Sequence, residues 1–186
     1  VGDRVTVPFV NGCGKCEWCI SGNAQVCPTQ SQPGFTQFGS FAEYVEIKNA
    51  DFNLIQLPES ISFEIAAALG CRFATAFRGL TAKARVKSGD LVAVFGCGGV
   101  GLSAIMIAKA FGAKVIAVDL NDTALSNAKQ IGADYAINAS DAISEIQSLG
   151  GAHISIDALG SQQTAEASVK SLRRLGKHIQ LGLLLT

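Results

Sequence analysis

The sequence predicts an α/β protein built on a doubly wound parallel sheet, and three observations carry that prediction. A glycine-rich turn, Gly96-Cys97-Gly98-Gly99-Val100-Gly101, lies between a short apolar run and a helical pattern. Beyond it, apolar runs of strand length alternate with helical stretches to the end of the chain. Ahead of it, four cysteines gather within residues 13–27, away from the alternating pattern.

Each element has its own justification. Leu91–Phe95 is a continuous apolar run, as expected of a strand buried on both faces. Val100–Phe111 has helical apolar spacing, and Lys114–Asp119 is a second strand ending in a carboxylate. Helix 122–131, strand 135–138, helix 142–149, strand 154–159, helix 162–175 and strand 178–183 follow. Right-handed crossovers then give the strand order 3-2-1-4-5. A sixth strand is expected and absent from the sequence, which would leave strand five as an apolar edge prone to pairing or aggregation.

Strand, glycines, helix, strand and terminal acid in this order form the dinucleotide-binding (Rossmann) fingerprint. Gly96 makes the strand-to-helix turn, Gly98 lets the backbone approach a pyrophosphate, and Gly101 allows close packing of helix on strand. The amides of Gly99 and Val100 open the helix, where the positive dipole end faces phosphate. Asp119, 18 residues after Gly101, would accept hydrogen bonds from the ribose hydroxyls and repel a 2′-phosphate, favouring NAD over NADP. The bland alternative is a glycine turn closing an α/β unit with no ligand. Cys97 in this loop reads either as an exposed, oxidisable thiol or as a small residue in a crowded turn.

Cys13, Cys16, Cys19 and Cys27 offer four thiolates to one centre, the composition of a closed structural Zn²⁺ site. Gly12 and Gly14 permit the tight turns of such a knuckle, and Lys15 adds positive charge. A disulfide scaffold fits poorly, since the rest of the chain is neither short nor cysteine-dense. An iron–sulfur cluster fits less well than zinc, because seven residues separate the third and fourth cysteines.

The 186 residues balance 15 Lys plus Arg against 15 Asp plus Glu, which argues against nucleic acid or an anionic membrane as main partner. No apolar stretch reaches the length of a membrane span. The opening at Val1 within a turn into a strand, the single Met106 and the apolar ending near Thr186 read as a piece of a longer protein.

The cysteine knuckle, Gly39-Ser40-Phe41-Ala42-Glu43-Tyr44-Val45, Leu57-Pro58, Ala66-Ala67-Ala68-Leu69-Gly70-Cys71 and the glycine fingerprint occur in an order that resembles the zinc-dependent medium-chain alcohol dehydrogenases. The resemblance implies a partial GroES-like β-rich catalytic domain over 1–71 and an NAD-binding domain over 72–186. It also implies hydride transfer between NAD and a primary or secondary alcohol, with a catalytic zinc as Lewis acid. Cys71 matches one ligand of that zinc, and Thr75 matches a threonine lying against the nicotinamide. Taken alone, Cys71 would read as a buried structural thiol.

The family's other catalytic ligands, a cysteine and a His-Glu pair, are not in this sequence, and the isolated chain is expected to be inactive. His153 and His178, at strand starts in the second half, read as sheet-edge histidines rather than substitutes. Trp18 reads as packing over the cysteine loop, Arg72 and Arg78 as reaching a phosphate or solvent, and Asp157 as facing the cofactor or capping a strand. The resemblance further implies a cytoplasmic protein, a small alcohol, aldehyde or ketone as partner, and a homodimeric or homotetrameric parent. The alternative is a non-catalytic or zinc-lacking relative of the quinone reductase type, which the cysteine knuckle and Cys71 disfavour.

Overall fold

The computed structural model describes residues 2–184; the expected strand entry at Val1 and the end of the apolar run at Leu185 and Thr186 lie outside the described residues. Two compact units divide the chain, Val1–Cys71 and Arg72–Thr186. None of the helices among the described residues is long and apolar enough to cross a membrane.

Among the described residues of the first unit the strand content is one antiparallel pair, β1 (Val5–Thr6) and β2 (Ile55–Gln56), with Val5 opposite Gln56. Glycines and prolines interrupt the remaining backbone, which turns around the cysteines instead of forming ladders. Short helices α1 (Glu17–Ile20) and α2 (Ala50–Asn53) flank that loop. Helix α3 (Phe63–Ala68) starts at Ser62, whose hydroxyl accepts the Ile65 amide. Arg4 ties the sheet to this helix by donating to Pro58 and Ile61 carbonyls and lying 4.7 Å over the Phe63 ring.

Two wide helical turns, Leu69–Phe73 and Gly79–Ala84, bracket α4 (Ala74–Arg78). The second unit then runs β3 (Leu91–Phe95), α5 (Gly99–Ala110), β4 (Lys114–Asp119), α6 (Asp122–Gln130), β5 (Tyr135–Asn138), α7 (Ala142–Ser148), β6 (Ala152–Asp157), α8 (Gln162–Lys170) and β7 (Leu172–Gln180). The sheet order is β5-β4-β3-β6-β7 and every pairing is parallel, which is the expected 3-2-1-4-5 arrangement.

All five residues of β3 are buried, as its unbroken apolar run requires. Val92 and Val94 pack into one hydrophobic layer with Leu80, Ile105 and Val115, whereas Ala93 and Phe95 enter the opposite layer with Ile116 and Ile146. Each fully buried aliphatic side chain of this kind contributes about 1.5–3 kcal/mol. Cap residues set the helix starts: Asn121 accepts the Thr123 and Ala124 amides at α6, and Ser161 and Thr164 form a reciprocal capping box at α8.

The last helix and strand differ from expectation. α8 stops at Lys170 rather than at residue 175, and β7 starts at Leu172 rather than at His178. Ser171 is the cause: it is fully buried, donates to the Ser168 carbonyl and joins a hydroxyl cluster with Ser155 and Ser168. That cluster draws the chain onto the sheet. His178 consequently lies within the strand, bonded to Ser168 Oγ, rather than at its start. The edge strand itself carries Arg173, Arg174 and Lys177, and cations protect an edge from pairing. Its apolar neighbours Leu183 and Leu184, exposed at 81% and 51%, lie beyond the strand.

Candidate metal centre and cofactor site

Four cysteines converge in the first unit. The sulfurs of Cys13, Cys16, Cys19 and Cys27 all lie within 4.8 Å of one another, with Cys13 and Cys19 at 4.0 Å and Cys16 and Cys27 at 3.8 Å. A tetrahedron with metal–sulfur bonds of about 2.3 Å has edges of about 3.8 Å, so the sulfurs are spaced for one ion. These distances are also far too long for a disulfide. Backbone amides point at the sulfurs: Cys13 N–H donates to Cys27 Sγ and Cys16 N–H to Cys13 Sγ, both at 3.4 Å.

Those amides favour thiolate. The backbone N–H groups of Lys15 and Cys16 pull the Cys13 thiol down to about 6. Lys15 thus acts first through its amide. Burial pushes Cys19 up to about 11, and Cys27 is lowered by the Cys13 amide and Thr29 in spite of its burial. A metal ion at the centre would remove the proton from such a buried thiol.

The glycines have separate reasons. Gly14 sits at φ +76°, where an L side chain is strained, whereas a Cβ on Gly12 would come within 2.8 Å of Cys19 Sγ and displace a ligand. Sequence reasoning missed two supports from α2. Asn53 is buried, accepts the Gly12 amide at 2.9 Å and donates back to the Gly12 carbonyl at 3.0 Å. Phe52 covers Gly12 and Gly14, its ring atoms 3.1 Å from where their Cβ atoms would stand. Trp18 is 45% exposed in α1.

In the second unit the glycine loop joins β3 to α5. Gly96 has φ +92°, and a Cβ there would press on Leu159 at 3.3 Å, where the loop after β6 crosses. A Cβ on Gly101 would land on the Gly96 carbonyl oxygen, so close helix–strand packing requires glycine. Gly98 differs: a Cβ would meet no protein atom within 4 Å, leaving open space against the backbone. Gly99 and Val100 begin α5, half-buried, with their amides at its positive end. The Arg72 guanidinium lies over Gly99, its Nη1 2.8 Å from the position of a Cβ.

Asp119, at the end of β4, accepts the Cys97 amide at 2.7 Å through Oδ2 and the Asn121 amide at 2.9 Å through Oδ1. Each carboxylate oxygen keeps a further lone pair for another donor. Of the two readings of Cys97, the structure excludes the exposed, oxidisable thiol. Cys97 is 4% exposed, and burial, with the nearby Asp119 charge, pushes it up to about 12. The small-residue reading therefore describes it. Asp157 is a strand-end cap, fully buried, accepting the Leu159 and Gly160 amides and Gln180 Nε2.

Cys71 lies exposed in the turn Leu69–Phe73, contrary to the expectation for a structural thiol, and Thr75 lies exposed in α4. Cys71 is outside the one group of metal-competent side chains found among the described residues, the tetrad.

Comparison with known proteins agrees with both halves of this description. Residues 1–59 match the alcohol dehydrogenase GroES-like domain and residues 99–186 the zinc-binding dehydrogenase model. An alcohol dehydrogenase of Geobacillus stearothermophilus is 38% identical over 98% of this chain and 55% of its own length; one from Moraxella sp. (strain TAE123) is 38% identical over 98% and 54%. Among solved structures, alcohol dehydrogenase TADH from Thermus sp. ATN1 superposes with TM-score 0.93 at 30% identity, covering all of this chain and 56% of that one. A structure described as an NAD-dependent alcohol dehydrogenase gives TM-score 0.85 at 34% identity, over 96% of this chain and 53% of that one. The chain belongs to the zinc-dependent medium-chain alcohol dehydrogenase family. It spans about half the length of the curated relatives it matches.

Proposed function

We propose that the chain is the structural-zinc and NAD-binding portion of an NAD-dependent alcohol dehydrogenase acting on a primary or secondary alcohol. The observation that carries this reading is Asp119 at the end of β4, joined to the glycine loop through the Cys97 amide. The open side of Gly98 would admit a pyrophosphate onto the amides of Gly99 and Val100, with Arg72 adding positive charge. Asp119 would take the ribose hydroxyls on its remaining lone pairs, and its charge would repel the 2′-phosphate of NADP.

Residues 1–71 belong on this reading to the catalytic domain, with the tetrad as a structural zinc site, and residues 72–186 to the NAD-binding domain. When bound at its catalytic site in the whole enzyme, zinc supplies Lewis acidity toward the alcohol oxygen. Cys71 contributes one thiolate ligand there and Thr75 packs against the nicotinamide. A site needing three protein ligands is not met by Cys71 alone, so these 186 residues by themselves do not oxidise alcohol. The family relationship supports a cytoplasmic dimer or tetramer for the whole enzyme.

Titrating the zinc-loaded chain with NADH and NADPH, followed by nicotinamide fluorescence, tests the cofactor reading. Saturable binding of NADH with much weaker NADPH binding is expected. Equal affinity, or no binding of either by a folded chain, contradicts it.

A further inference from the structure

The end of the second unit opposite the glycine loop carries a cluster of charge that the cofactor does not use. A cavity of about 210 Å³ opens where β3, β6 and β7 begin. Its walls hold the cations Arg85, Lys87, Arg173, Arg174 and Lys177 against the single carboxylate of Asp90. Among the described residues none of these five cations lies within ion-pair distance of a carboxylate. Asp90 is itself occupied, since its Oδ2 accepts the Lys87 amide at 2.9 Å. Lys177 donates to the Ala84 carbonyl, and Arg173 and Arg174 of β7 are both among the lining residues.

Two independent features show that this clustering is built. The first is backbone strain. Only three non-glycine residues among those described have positive φ, and two of them, Arg85 at +56° and Leu175 at +64°, line this cavity. Leu175 belongs to a bulge in which Leu172 pairs with Ala152 and Lys177 with Ile154, so the intervening residues loop out and carry Arg173 and Arg174 to the rim.

The second is a hydrogen-bond conflict. The Leu91 amide donates to His153 Nδ1 at 3.0 Å, which places the proton of the neutral ring on Nε2. Yet Nε2 lies 2.6 Å from Arg173 Nη1, a group that can only donate. Two N–H donors therefore converge with no acceptor between them, and an anion at the cavity mouth would accept from both.

We propose that this cavity is a binding site for a phosphate-class anion of one or two phosphoryl groups, held by Arg173 and Arg174 with His153 Nε2–H. Guanidinium forks match phosphate oxygens in paired hydrogen bonds, and the cavity is too small for a polymer. The site is at the other end of the sheet from the glycine loop and is independent of the NAD reading.

The test follows the His153 imidazole resonances of the 186-residue chain by NMR during titration with inorganic phosphate, inorganic pyrophosphate and ADP. Saturable His153 shifts are expected, weakened as salt is raised. Tighter binding of ADP than of pyrophosphate would identify a nucleotide as the source, and the reverse a free anion. Arg174→Ala should weaken binding about tenfold or more, as loss of a charge-assisted contact does. Arg174 is exposed and its side chain makes no hydrogen bond or ion pair among the described residues, so that variant should melt like the parent; Arg173→Ala gives a second reading. NADH should leave the His153 titration unchanged. Absence of a saturable shift, an affinity unaltered in both variants, or displacement of pyrophosphate from His153 by NADH would overturn the proposal.

Discussion

Asp119 and the Cys97 amide are joined at 2.7 Å, so the carboxylate assigned to a ribose also holds the glycine loop in shape. Binding and loop geometry are therefore coupled through one side chain. Asp119→Ala should weaken NADH binding by about 10- to 100-fold, the equivalent of one charge-assisted bond, and should also lower the melting temperature. NADPH should gain relative to NADH as the negative charge is removed. Parallel titrations and thermal melts check both effects.

The glycine loop separates a fold requirement from a ligand requirement. Gly101→Ala forces a methyl onto the Gly96 carbonyl and should cost about 1–3 kcal/mol in stability, read by urea denaturation. Gly98→Ala meets no protein atom, so it should fold like the parent while losing most NADH affinity.

The six thiols should react in an order set by burial and metal. With zinc bound, iodoacetamide at pH 8 should label exposed Cys71 and spare Cys97, whose pKa near 12 leaves about one thiol in ten thousand ionised. Removing zinc with a chelator should open the tetrad cysteines to labelling and leave Cys97 protected. Peptide mass spectrometry distinguishes the sites. Rapid labelling of Cys97 in the folded chain would contradict its placement.

Asp134 supplies a pH dependence. Burial raises its pKa, but hydrogen bonds from Lys109 Nζ and the Val115 amide outweigh that effect and leave it below the usual carboxylate value. A carboxylate with a depressed folded pKa adds stability above its unfolded pKa, and that stability is lost as pH falls through the folded pKa. Asp134→Asn should therefore melt a few degrees lower at pH 7, consistent with about 1 kcal/mol for this partly exposed group. The difference should shrink below about pH 4, and melts across pH 3–7 check it.

The sheet order and the glycine fingerprint were legible because they rest on local spacing: an apolar strand, a turn, and an acid at the next strand end. The end of α8 was not. Val169, Leu172 and Leu175 continue a helical spacing, and only the contact of Ser171 with Ser168 and Ser155, the latter on a neighbouring strand, stops the helix at Lys170. The reading of Cys97 as a small residue in a crowded turn holds, but its burial was not legible, for a similar reason. A loop position beside a helix start looks open in sequence, yet here its thiol is turned toward the Val118 carbonyl and covered. Around the tetrad, the ligands were readable from their spacing. The clamp by Asn53 was not, because it returns from 41 residues away to Gly12.

Metal content of the purified chain, measured by plasma mass spectrometry without added metal, tests the account most directly. One zinc per chain is expected, lost in Cys27→Ser together with protection of the remaining tetrad thiols. No metal, or iron in place of zinc, would contradict the assignment of the tetrad, and two zinc ions would contradict the claim that Cys71 alone does not hold a catalytic ion.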